Sequence, residues 1–369
     1  MPQKLFEPLH AGALALAHRV VLAPLTRMRA EQPGNVPGPL METYYRQRAT
    51  RGGLLISEGS PISDTGRGMP ATPGITTEAQ IAGWQQITRA VHDAGGLIVL
   101  QLWHVGRISH SSLQPERRLP VAPSAIAAKG NTLTAEGTPA PFETPHALSL
   151  DEIAATVGDY AQATCHARQA GFDGVEIHGA NGYLIEQFLQ SRTNQRTDGY
   201  GGSIERRARF ALEVAEAVVS AWSADRVGIR LSPFGIANDS GEADPMPLYT
   251  YVIEKLAPLG LAYLHLIEPR ASGAGKAEVD HAGMPSAAQL FRPLWPGTLI
   301  TAGNFKPDTA EAFVQSGAAD AIAFGRYFIS NPDLPARIHQ DAPLAPYDRA
   351  TFYGGGAKGY TDYPLLGNR

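Results

Sequence analysis

Eight short apolar runs recur along the chain, at about 19–25 (RVVLAPL), 53–58 (GLLISE), 96–102 (GLIVLQL), 173–178, 226–231 (RVGIRL), 262–267 (AYLHLI), 298–302 (TLITA) and 320–324 (DAIAF). Most are separated by stretches of helical period. Capping-box spacing at Thr77 with Gln80, Ser149 with Glu152 and Asp308 with Glu311 predicts helix starts after the second, third and seventh runs. From about 150 to 170, Ile153, Val157, Tyr160 and Ala161 share one stripe that ends at Gly171, the pattern of an amphipathic helix with a glycine stop. Beyond Ser203, Phe210, Val214, Val218 and Trp222 repeat every four residues, a face suited to covering a strand. Strand and helix alternating on this scale imply an α/β fold with a parallel sheet, and eight units imply closure into a (β/α)8 barrel of the TIM type.

Two regions break the pattern. Residues 1–18 carry an apolar–turn–apolar pattern, read as an N-terminal hairpin capping the amino end of the barrel. Residues 104–148, after the third strand, are rich in Pro, Ser and Ala and too long for an ordinary connection, so they predict an excursion or lid at the active-site mouth. No repeat or composition shift divides the chain, and 1–369 is read as a single domain. A hydrophobic content of 43% suffices for a large core, and a net charge of −4 gives no general attraction to nucleic acid or anionic lipid. Small molecules are the expected partners. Cys165 is the sole cysteine, which excludes an intrachain disulfide, a cysteine-ligated iron–sulfur cluster and a Cys-rich zinc site. No run approaches the roughly 18 apolar residues that span a bilayer, so a cytoplasmic monomer or homodimer is expected.

In a closed parallel barrel the chemistry gathers at the carboxyl ends of the strands. The first strand ends in Pro24 and Thr26, the second in Glu58 and Gly59, the third in Gln101 and Trp103, the fourth in His178, the fifth in Arg230, the seventh in Gly303 and Asn304, and the eighth in Gly325 and Arg326. Alternation along 173–178 puts Val175 and Ile177 on one face and Glu176 and His178 on the other. The turn that follows, HGANGY, brings Asn181 and Tyr183 near His178, although a glycine-rich turn with a satisfied histidine would read the same way. Glycines at the ends of the last two strands, with the Arg326 fork, suggest an anion site; glycine turns with a surface arginine are the plainer reading. Arg230 shares a face with Gly228, opposite Val227, Ile229 and Leu231, and so points inward, where a guanidinium needs an anion. That anion is either a ligand or Glu176 on the adjacent strand.

The stretch 178–210, HGANGYLIEQFLQSRTNQRTDGYGGSIERRARF, resembles the signature of the old yellow enzyme family of flavin-dependent ene-reductases. Within it the resemblance is greatest to the bacterial N-ethylmaleimide, pentaerythritol tetranitrate and morphinone reductases. APLTRMR at 23–29, YYRQRA at 44–49, QLWHVGRISHSS at 101–112, FGRYFISNPDL at 324–334 and FYGGGAKGYTDYPLL at 352–366 resemble the same family in the same order. The resemblance implies bound, non-covalent FMN and NADPH or NADH as reductant. Its phosphate would lie against Gly303, Asn304, Gly325 and Arg326, and its ring against Pro24, Thr26, Gly59, Gln101 and Arg230.

By the same resemblance, His178 and Asn181 bind the carbonyl or nitro oxygen of an enone, enal, maleimide or nitroalkene. Tyr183 then donates the proton, completing a net trans addition. The substrate pocket would also include Thr26, Trp103, Met69 and Tyr353. Met69 is a departure, because an aromatic residue is expected there, and it puts substrate preference in question. Asn cannot titrate, so His178 is expected to carry any pH dependence of oxyanion binding near neutrality. Two other readings are a phosphate-binding barrel lyase or isomerase without flavin, and a non-catalytic flavin-binding protein. No strand-end Lys supports the former, and the latter does not need His178, Asn181 and Tyr183 together.

Overall fold

Every predicted run forms a strand: Val20–Leu22, Leu54–Pro61, Leu97–Trp103, Gly174–Gly179, Val227–Leu231, Tyr263–Ile267, Leu299–Ala302 and Ala321–Phe324. In the computed structural model, which describes residues 3–269 and 285–367, these strands pair in parallel in chain order and close into a barrel. The expected span 1–369 lies outside the described residues at 1–2, 270–284 and 368–369.

The period-two alternation sorts the side chains into two cores. Val175, Ile177, Val227, Ile229, Leu231, Leu264 and Leu266 face outward and pack with Ile153, Tyr160, Phe210, Val214 and Val218 of the covering helices. Val21, Leu54, Ile56, Val99, Tyr263, Ile300, Ala321 and Ala323 face inward. The hairpin Leu9–Ala11 with Leu14–Leu16 adds Ala11, Leu14 and Leu16 to this inner cluster, so it plugs the end of the barrel where the strands begin. The second strand outruns its predicted end at 58, continuing to Pro61 across a register shift between Ile56 and Gly59.

The capping boxes at Thr77–Gln80 and Ser149–Glu152 are present. The third is not. The helix Pro307–Gln315 starts two residues earlier, with Lys306 rather than Asp308 as its N-cap, Pro307 in its first turn and the Thr309 hydroxyl accepting the Lys306 N–H at 2.9 Å. Glu311 instead accepts the backbone N–H groups of Lys4 at 2.7 Å and Leu5 at 3.0 Å, tethering the amino-terminal segment. On the helix Leu150–Gln169 the buried stripe is Ile153, Thr156, Tyr160, Ala163, Thr164 and Ala167. Val157 and Ala161 fall on its partly exposed flank, because two small polar residues, Thr156 and Thr164, take core positions by bonding the carbonyls of Glu152 and Tyr160.

Three separated motifs meet at the mouth. Arg27 and Arg29 donate to tail carbonyls, among them Phe352, Gly359, Gly356 and Thr351 at 2.9–3.1 Å. Arg48 lies 3.6 Å over the Tyr44 ring, which stacks at 4.2 Å on Tyr360. The carboxyl-terminal tail is thereby strapped across the barrel with Tyr353 beside the opening. The excursion 104–148 contains the hairpin Asn131–Leu133 with Pro139–Pro141, and the Phe142 that follows packs with Met69 near Trp103 and Tyr183.

Gly228 is required by the inner core, since a Cβ there would lie 2.3 Å from the Tyr263 ring. Gly228→Ala is expected to lower stability by about 1–3 kcal/mol through this overlap. Gly158→Ala, on a helix face with nothing within 4 Å, should raise it by roughly 0.5–1 kcal/mol. Urea denaturation of the two variants, with opposite signs of shift, checks the assignment of inner and outer faces.

Candidate active site

The inward face of the fourth strand carries Glu176 and, one pleat closer to the mouth, His178. Both are buried. The Gln101 amide donates to Glu176 Oε1 at 2.7 Å, and His265 Nδ1 meets Glu176 Oε2 at 2.8 Å. Burial alone would raise the Glu176 pKa, but His265, Arg230 and Gln101 around it more than offset this and hold it below the ordinary carboxylate value. Gln101 therefore has one N–H committed within the protein and keeps its second N–H and its carbonyl oxygen for a ligand. The hydrogen-bond partner of Glu176 on the sixth strand is His265, whose own pKa is lowered, chiefly by burial. Arg230 acts on Glu176 through charge and makes no ion pair with it among the described residues. His265 was missed from sequence, although the alternation of AYLHLI already placed Tyr263 and His265 on one face.

After the strand, Asn181 and Gly182 adopt left-handed conformations, with φ of 59° and 75°. Only glycine suits the second, where a Cβ would lie 2.6 Å from the Ala237 carbonyl oxygen. His178 Nδ1 accepts the Ala180 N–H at 3.3 Å. Burial, then the nearby Arg230 and His265, push the His178 pKa well below its usual value. The ring is thus neutral with its proton on Nε2, a standing donor toward the pocket. This corrects the expectation that His178 titrates near neutrality: two basic neighbours and burial remove its protonation from that range. The Tyr183 ring stands edge-on to His178 at 5.0 Å and to Trp103 at 5.1 Å. Burial, with Tyr353 nearby, pushes its phenol up to about 12, so it stays protonated. Gly59 lies against Trp103, where a Cβ would meet the indole at 2.9 Å.

Asn238 was also missed. Its amide donates to the Asn181 carbonyl at 2.9 Å and its side chain bonds Tyr183, from a loop after the fifth strand that carries no periodic signal.

At the other side of the mouth the first, seventh and eighth strand ends adjoin. Gly303 has φ of 150° and a Cβ there would overlap Glu268 at 2.6 Å. Asn304 is left-handed, and its side-chain oxygen accepts from Arg326 at 2.9 Å. The Leu25 methyl stands 3.3 Å from the Cβ position of Gly325, so the segment Pro24–Thr26 borders this corner. Pro24 is buried and Thr26 half-buried. Glu58, a polar strand end, turns away and accepts the Arg27 N–H at 3.1 Å. Met69 packs on the cluster that contains Trp103 and Tyr183, and the partly exposed Tyr353 lies near Tyr183.

Amide, guanidinium and imidazole at the strand ends, with a phenol on the turn above them, suit a flavin-binding barrel oxidoreductase. Residues 4–345 match the profile of the NADH:flavin oxidoreductase / NADH oxidase family. The chain is 47% identical over 98% of its length to 12-oxophytodienoate reductase 1 of Oryza sativa subsp. japonica, covering 93% of that protein. It is 45% identical over 98% of its length to flavin oxidoreductase hxnT of Emericella nidulans, covering 98% of it. The solved structure of morphinone reductase in complex with tetrahydroNAD superposes with a TM-score of 0.91 at 48% identity, over 100% of this chain and 99% of that one. The chain belongs to this family, the old yellow enzymes, whose cofactor is FMN and whose reductant is NAD(P)H. Its residues fit such a cofactor: Arg230 Nε and Trp103 Nε1 are buried with no hydrogen-bond partner among the described residues, as suits a site built around a polar ring. The flavin-free lyase or isomerase reading is thereby set aside. No helix of the described residues is long and apolar enough to cross a membrane.

The His178 imidazole should remain neutral and Nε2-protonated from pH 8 down to pH 5. Nitrogen-15 shifts of histidine-labelled protein, assigned with His178→Asn, provide the check, and a neutral-range titration would contradict the geometry described.

Proposed function

We propose that the chain reduces the activated C=C bond of enones, enals, maleimides or nitroalkenes. FMN, when bound, would supply the hydride chemistry, with NAD(P)H as reductant and the substrate carbon remote from the activating group as acceptor. Pro24, Thr26, Gly59, Gln101 and Arg230 would hold its ring, and Gly303, Asn304, Gly325 and Arg326 its phosphate. The observation that carries the reading is the neutral imidazole of His178, whose Nδ1 is occupied by the Ala180 amide, next to a phenol held protonated. With Asn181 it supplies donors to an oxygen that gains negative charge in the transition state. Tyr183 supplies the proton to the carbon beside the activating group. Two of the relatives are named for reducing carbonyl compounds, 12-oxophytodienoate and morphinone, which supports a carbonyl-activated substrate.

Trp103 and Tyr353 would border the substrate, with Thr26 near the reacting end. Met69 packs beside Phe142 on the Trp103–Tyr183 cluster, so an unbranched, adaptable side chain shapes that wall where an aromatic ring was expected. Substrate preference follows from this wall. Small substrates and a net charge of −4 suit a cytoplasmic enzyme acting as a monomer or homodimer.

The purified protein should show a flavin absorption band that NADPH bleaches and cyclohexenone restores. Tyr183→Phe should leave bleaching by NADPH intact and slow reoxidation by cyclohexenone by about 10²–10⁴-fold. Stopped-flow measurement of the two half-reactions separates these outcomes, and a loss confined to the NADPH step would refute the proton-donor role.

A further inference from the structure

Directly behind the HGANGY turn lies a carboxylate that the mechanism above does not use. Glu186, on the helix Leu184–Leu189, is fully buried. Its Oε1 accepts from the Ser232 hydroxyl at 2.7 Å and from the Tyr249 phenol at 2.7 Å. Its Oε2 accepts the backbone N–H of Gly182 in a short hydrogen bond. Ser232, having donated to Glu186, accepts the backbone N–H of Asn181 at 2.8 Å. The two left-handed residues between His178 and Tyr183 are thus held by one acidic side chain, one amide directly and the other through a hydroxyl.

We infer that Glu186 is a positioning residue for the reaction: through Gly182 and Ser232 its carboxylate fixes the turn that aims Asn181 and Tyr183 at the substrate. The inference rests on the ene-reductase reading given above. The chemistry is specific to the ionised form. A carboxylate only accepts, so it satisfies the Gly182, Ser232 and Tyr249 donors together, whereas a protonated acid must itself donate and disrupts one of these contacts. Glu186, Ser232 and Tyr249 are all fully buried, so water cannot readily replace a partner lost among them.

The surroundings set when that form is present. Burial lifts the Glu186 carboxyl to about 7, against the pull of Ser232, Tyr249 and Gly182. From the neighbouring elements it faces Ser232 after the fifth strand and Tyr249 on the helix Pro245–Leu256. Beyond Tyr249 stands Glu242, already paired to Arg207 at 2.8 Å. No cation is bonded to Glu186 among the described residues. Neither His178, held neutral, nor Tyr183, near 12, changes charge in this range. Glu58 is also lifted to about 7, but its bond is to the Arg27 amide in another part of the barrel, so a Glu186 variant tells the two apart.

The test compares wild type, Glu186→Leu, Glu186→Gln, Ser232→Ala and, as a reference, His178→Ala. Three measurements are made: phenol affinity by its long-wavelength charge-transfer absorbance, reoxidation by cyclohexenone between pH 5.5 and 8.5, and deuterium exchange of the peptide 178–185 in FMN-free protein. Glu186→Leu should weaken phenol binding and slow reoxidation by roughly ten-fold or more, and speed exchange in that peptide, with FMN content unchanged. Glu186→Gln, which like the protonated acid accepts from Gly182 but must itself donate, should recover only part of the affinity and hold the low-pH rate throughout. It should also abolish a rise in reoxidation rate as pH increases through 7. Wild-type values for Glu186→Leu in all three measurements, or a pH step that survives Glu186→Gln, would overturn the inference. Should Glu186→Leu fail to fold, the pH profile of Glu186→Gln and the exchange of Ser232→Ala decide it, wild-type behaviour in both being the refuting result. Weakened phenol binding in His178→Ala alone would refute only the Glu186 role; a wild-type protein blind to phenol would remove the functional reading beneath it.

Discussion

The structure depends on a buried carboxylate at the centre of the barrel. Glu176 ties the third strand to the fourth through Gln101 and the fourth to the sixth through His265. Its negative charge also offsets part of the burial that lowers the Arg230 guanidinium. Removing one member of such a group would leave its partners charged in a medium that solvates them poorly, which is why a buried ion cluster is retained as a unit or not at all. The inner core changes character at this level. Toward the hairpin plug it is Val, Leu, Ile and Ala around Tyr263; toward the mouth it is amide, carboxylate, imidazole and guanidinium.

That layering explains the state of the imidazole above it. His178 pairs in register with Arg230, which pairs with His265, so three potential cations lie side by side across adjacent strands. Glu176 supplies one negative charge among them. Burial first, and then the charge that the arginine keeps, suppress protonation of His178. A histidine ordinarily poised to switch near neutrality becomes a fixed hydrogen-bond donor. On the proposed function, the same charge of Arg230, whose Nε has no hydrogen-bond partner among the described residues, would face the pyrimidine end of the flavin.

The tail and the turn address a different problem, that of holding loops still above a rigid barrel. The arginines of two amino-terminal motifs bind carbonyl oxygens of the tail, and carbonyls accept such donors without regard to side-chain identity. The HGANGY turn instead relies on backbone conformation, on Ser232 as acceptor of the Asn181 N–H and on Asn238 as donor to the Asn181 carbonyl. In each case distant segments constrain a short one, and loop-closure entropy is met once by the barrel closing.

Much was legible in the chain because the signals are local. Period-two alternation places Glu176, His178 and Arg230 on the inner face whatever the rest of the protein does; the strand ends His178 and Trp103 both lie against Tyr183 of the turn, and Gln101 bonds Glu176. Capping boxes at Thr77 and Ser149 are likewise read within four residues. Where the local signal was ambiguous, at Asp308 with Glu311, a partner more than three hundred residues away took the carboxylate. The protonation state of His178, the partner of Glu176 and the role of Asn238 could not be read from spacing, since each depends on a neighbour delivered by another strand or loop. Sequence alone determined which residues face the interior, because alternation is a property of each strand. Tertiary closure decided which charges meet there, because Coulomb and burial effects act through space between segments that the chain keeps far apart.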